Sequence, residues 1–132
     1  MPMTRRRHAR WLAGPLVVLV LLQTGCATTM LRDARVSPPP EARHCEGSEL
    51  VITSYMATLQ IPLVAFFLPR IRLNAPDSTE ALRKCGGTQQ VNRLVKANYA
   101  ACAPTNFLMT MLTLGTVGAC PTLVSYEADV VD

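Results

Sequence analysis

The sequence is short of the residue types that most enzyme chemistry needs. It has two histidines, and with His8 in a basic N-terminal run, His44 is the only one in the rest of the chain. A serine or cysteine nucleophile that relies on imidazole therefore has one place to find its base. Ser48 lies four residues further on between Glu46 and Glu49, but no separate orienting acid is legible. None of the five cysteines forms a C-x-x-C pair, and His44, next to Cys45, is the one histidine beyond the N-terminal run that could join a metal site. A glycine-rich phosphate loop, a zinc signature and a basic-aromatic surface are all missing, so nucleotide, metal and nucleic-acid roles have no support. No cofactor is expected, and the chain reads as non-enzymatic. Acidic residues are missing too from one end: none precedes Asp33.

What stands at that end instead is a secretory leader. Arg5, Arg6, Arg7 and Arg10 form a positive region, and Leu12 to Leu22 form an apolar stretch of 11 residues. At 1.5 Å per residue that stretch spans about 16 Å, half of a hydrocarbon core of roughly 30 Å, too short for a permanent anchor. Gln23-Thr24-Gly25-Cys26 follows as a small-residue cleavage site, and Leu22 to Cys26 resembles the bacterial lipobox, whose cysteine is diacylated. The expected organisation is a signal peptide over 1–25, then Cys26 as the lipidated N-terminus. Acyl chains contribute about 0.8 kcal/mol per buried methylene, so several hold a protein to a bilayer almost permanently. Ala27, two positions into the mature chain, is not Asp, and by resemblance to the lipoprotein sorting rule this implies the outer membrane. Cleavage before Cys26 leaves 107 residues with nine basic and nine acidic side chains. The net charge of +4 thus belongs to the leader and implies nothing about a polyanionic partner.

A mature chain of this size supports one small domain. Residues 26–43, with Ser37-Pro38-Pro39-Pro40-Glu41, show no apolar period and read as a disordered, Pro-rich tether. The folded domain is expected over 44–132. Export places Cys45, Cys85, Cys102 and Cys120 in an oxidising space, where an even count in a small domain reads as two disulfides. Of three possible pairings, Cys102–Cys120 with Cys45–Cys85 is favoured, because the first staples the neck of one hairpin-like excursion.

Four strands are expected. Glu49 to Leu59 is β-branched and aromatic. Phe66 to Asn74 alternates apolar residues with Arg70, Arg72 and Asn74, which points Phe67, Ile71 and Leu73 at the core. Gln89 to Tyr99 has Val91, Val95, Ala97 and Tyr99 on one face, with Arg93 out of place among them. Thr122 to Val131 places Val124, Tyr126, Ala128 and Val130 on one side and Ser125, Glu127 and Asp129 on the other. Asp77 and Glu80 start a short helix over 78–85, closed by Arg83, Lys84 and Gly86. An apolar helix or loop spans 105–115 within the charge-free stretch from Lys96 to Glu127. Its residues Phe107, Leu108, Met111 and Leu112 cover most of a helical circumference. They either form a lid on the core or face lipid or a partner. The fold class is α+β, a small antiparallel sheet with one short helix and this apolar segment.

Ser78-Thr79-Glu80-Ala81-Leu82-Arg83-Lys84-Cys85-Gly86-Gly87, the run Asn106 to Gly115 and the strand Pro121 to Tyr126 follow one another at spacings that resemble the Bor family of small outer-membrane lipoproteins. Cys45, Cys102 and Cys120 are additional to that pattern. The resemblance implies a lipid-anchored, non-catalytic structural or interaction module, linked to serum survival of the bacterium, with the bilayer and an envelope protein as partners. A periplasmic or surface inhibitor module is the alternative reading.

Overall fold

The computed structural model describes residues 27–132, so the expectations of a signal peptide over 1–25 and of lipidation at Cys26 lie outside the described residues. Five strands, β1 (Ala27–Arg32), β2 (Arg43–Ala57), β3 (Arg70–Arg72), β4 (Gln89–Asn98) and β5 (Val117–Val131), form one antiparallel sheet in the order β1-β4-β5-β2-β3. Two helices, α1 (Ser78–Arg83) and α2 (Cys102–Leu112), lie on one face of it, and a 3-10 turn occupies Val64–Phe67. The architecture is α+β, with five strands rather than four.

The long β2–β5 pair is its spine, in register from Arg43–Val130 to Met56–Val117. On β5 the period of two holds: Val124, Ala128 and Val130 are buried while Ser125 and Glu127 are exposed. β5 begins five residues before Thr122 and includes Pro121. By that point it has outrun β4, whose last pair is Asn98–Leu123, so the strand has a free edge where proline is tolerated.

α1 is capped by the Asp77 carboxylate, which accepts from the Thr79 N–H at 2.8 Å, and Gly86 takes φ +69° just after the helix ends. Two turns do not persist alone in water, so tertiary contacts must hold them. Ala81, Leu82 and Cys85 pack on Val95, Val124, Ala128 and Val130, the Cys45–Cys85 disulfide ties the helix end to β2, and Lys84 pairs with Glu49. The second disulfide, Cys102–Cys120, ties the start of α2 to β5.

Three expectations need correction. The disordered tether expected over 26–43 is replaced, from Ala27 on, by ordered structure: Ala27–Arg32 form β1, which completes the exposed edge of β4. The Pro-rich run is instead the connection from β1 to β2. It is pinned where Asn92 bonds both the N–H and the carbonyl of Val36 at 2.7 and 2.8 Å.

The strand over 66–74 shrinks to Arg70–Arg72, and its phase is reversed. Phe67 is 91% exposed, and Ile71 and Leu73 also face out. Arg70 turns toward α2 instead, its Nη1 donating to Thr110 Oγ1 at 3.0 Å, while Arg72 is exposed and lies over the Tyr55 ring.

On β4, finally, Val91 opposes Asp129 but Leu94 opposes Glu127, so the strand holds one extra residue. Asn92, at φ +52°, makes this bulge, which sends Val91 and Val95 to opposite faces. It also frees Arg93 to donate from Nε to Asp33 Oδ2 at 2.6 Å, which explains why Arg93 does not fit a regular strand.

Candidate functional site

α2 is turned inside out. Asn106, Thr110 and Thr113 recur at helical spacing and face the sheet, with Thr110 only 7% exposed. Thr110 accepts from Arg70, and Thr113 Oγ1 accepts from the Val117 N–H at 3.1 Å. Close approach is possible because Gly118 lies beneath: a Cβ there would stand 2.2 Å from Asn106 Oδ1. The apolar residues are therefore left outside. Phe107 is 65% and Leu112 70% exposed, and Leu108 and Met111 also face solvent. The lid reading of 105–115 is thus overturned, and the four residues named as partner- or membrane-facing form an outward surface. The threonine spacing was the signal in the sequence that pointed this way. Leu112→Asp is expected to keep its melting temperature within a few degrees, the effect of about 0.5 kcal/mol at a surface site; thermal unfolding checks this.

The inversion extends to the sheet beneath. Thr53 on β2 and Thr122 on β5 are buried as Thr110 is, and the Thr53 Oγ1 and Asn106 Oδ1 atoms are buried without a hydrogen-bond partner. On the outer face Leu50 opposes Leu123, and Ile52 and Ile71 are exposed nearby. The loop ahead of β3 adds Leu63 and Phe67, joined to the end of α2 by the Leu63 N–H to Leu114 carbonyl bond at 3.0 Å.

The other half of the sheet is polar on its outer face. His44, half exposed, lies 3.0 Å from Asp129. The acceptor is a carboxylate, so His44 Nδ1–H is the donor. Asn92 Nδ2 donates to the second Asp129 oxygen at 2.7 Å. The hydrogen bond to Asp129 raises the His44 pKa above 6.5, and the bonds from His44 and then Asn92 lower the Asp129 pKa below 3.8. A raised imidazole pKa gives stability that is complete below 6.5 and lost as pH rises through the folded value. A lowered carboxyl pKa gives stability complete above 3.8 and lost as pH falls through the folded value. The pair is thus at full strength between these limits. Proton NMR titration of His44 should give a midpoint above 6.5, and Asp129→Asn should lower it.

These groups do not converge on a reaction centre. Four residues of extended chain separate Ser48 from His44 by about 13 Å, beyond hydrogen-bond reach. Cys45 is in a disulfide and has no thiolate to offer a metal with His44. Among the described residues no group of His, Cys, Asp and Glu is arranged to hold a metal ion, and no helix is long and apolar enough to cross a membrane. The apolar surface built on α2 is the feature that asks for a function. Comparison with known proteins returned no match, whether to family models, curated proteins or solved structures.

Proposed function

We propose that this protein is a lipid-anchored, non-catalytic envelope module of Bor-like type. It is held at the outer membrane by acylated Cys26 and works by presenting an interaction surface. The observation that carries this reading is the outward-turned α2: a water-exposed helix that buries its threonines and displays Phe107, Leu108, Met111 and Leu112 is built to be covered. The two disulfides fit an exported chain. The resemblance to Bor lipoproteins links the module to survival of the bacterium in serum.

The anchor is tested by metabolic labelling with palmitate. Wild-type protein is expected to incorporate label and Cys26→Ala to lose it, and equal labelling of the two would overturn the proposal.

A further inference from the structure

We infer that one half of this domain seats directly on the lipid bilayer, with the acyl-bearing end of the chain at the edge of the seat. Its orientation rests on the lipoprotein reading of Cys26.

The charge distribution divides the molecule first. Segments 50–73 and 97–124 contain no acidic residue, and their only charged side chains are Arg70 and Arg72. All nine acidic residues lie in the rest of the chain. In the fold these two segments come together: the second half of β2, β3, the loop between them, α2 and the first part of β5 make one end of the sheet. That end buries Thr53, Thr110 and Thr122 among Ala57, Ala65, Ala119 and Cys120, and exposes leucine and isoleucine on the outer face of the sheet and phenylalanine, leucine and methionine on the outward side of α2. In water this is the costly arrangement, because apolar area stays hydrated while polar groups are buried. Against hydrocarbon it is the favourable one. Arg72, exposed in a half without acidic residues, also suits a leaflet carrying anionic headgroups.

The position of the chain entry selects lipid over a protein partner. Ala27 pairs with Asn98, Asn98 with Leu123 and Leu123 with Leu50, so Ala27 lies on the row where the outer face changes from polar to apolar. β1 runs from that row into the polar half, and Cys26 precedes Ala27 by a single peptide bond. No spacer is left to hold the domain away from the membrane, because residues 27–32, expected to be tether, are a strand of the sheet. Acyl chains on Cys26 therefore bring the acid-free half to the bilayer and leave His44, Glu46 and Asp129 facing away.

The test uses the full processed protein in vesicles of phosphatidylethanolamine and phosphatidylglycerol, with or without brominated acyl chains. Trp11, the only tryptophan, stands in the leader, so the processed chain has none and a single introduced tryptophan reports alone. In Phe67→Trp and Phe107→Trp, emission should shift to the blue and be quenched about twofold or more by brominated chains, as insertion of roughly 5–10 Å into the interface requires. Val36→Trp, at an exposed position (63%) in the polar half, should emit as in water and escape quenching. Mass spectrometry of the same samples reads acylation. Quenching without acylation would keep the lipid seat and remove the lipoprotein reading. Acylated protein whose Phe67→Trp and Phe107→Trp variants emit as in water would overturn the seat and leave the anchor. Shielding from aqueous acrylamide without lipid quenching, with cross-linked dimers or a bound protein, would overturn it in favour of that occupant.

Discussion

Replacing both Cys45 and Cys85 with alanine is expected to cost about 4 kcal/mol of stability, the loop-closure entropy of a cross-link between residues 40 apart. For a domain of this size that corresponds to a drop in melting temperature of roughly 20 °C. The loss should exceed the loop value, because this bond also holds a helix too short to persist alone. Cys85 is buried in the cluster with Leu82, Val95 and Val130, and without the bond α1 keeps its Asp77 cap, the Lys84–Glu49 pair, the Gln90 amide bonds to the Leu82 and Gly86 carbonyls and its apolar contacts. The corresponding change at Cys102 and Cys120, 18 residues apart, should cost about 3 kcal/mol and leave α1 in place. Urea unfolding of the two double variants measures the order. If the Cys102/Cys120 variant is the weaker one, the polar half is not the stability core.

Gly115→Ala is the second change with a large effect, a loss of about 2–5 kcal/mol from two costs that act together. Gly115 sits at φ +92°, a conformation that side-chain-bearing residues avoid, and its N–H closes α2 on the Thr110 carbonyl at 2.8 Å. A Cβ would also stand 2.7 Å from the Phe66 backbone nitrogen, an atom that cannot rotate away. Gly86→Ala separates the two costs. Gly86 has φ +69° but open space around it, so its alanine should lose only about 1 kcal/mol. Equal losses at the two sites would mean that the loop holding Phe66 gives way freely. Because that loop joins the outward face of α2, Gly115→Ala should also expose the 61–67 segment to proteolysis.

The elements that could be read from the sequence are those whose signals are local. Asp77, Lys84 and Gly86 mark the ends of α1 by capping, dipole and positive φ, all within one short stretch. Val124 to Val130 alternate cleanly because β5 is buried on one face and wet on the other. An even cysteine count and the short Cys102–Cys120 excursion favoured the pairing that the fold contains.

What only the tertiary structure decided is which face looks inward. A period of two in 66–74 defines two faces equally well. The inward one is set by Thr110, which receives Arg70 from a distant part of the chain. The bulge at Asn92 depends on Val36 and Asp129, and β1 forms because β4 has an open edge, not because Ala27 to Arg32 carry an apolar pattern. The same holds for α2, whose apolar arc reads as a core helix until its threonines are seen facing the sheet. Periodicity records that a segment has a dry side and a wet side. Whether the dry side meets a core or a membrane is settled by what the rest of the chain places against it.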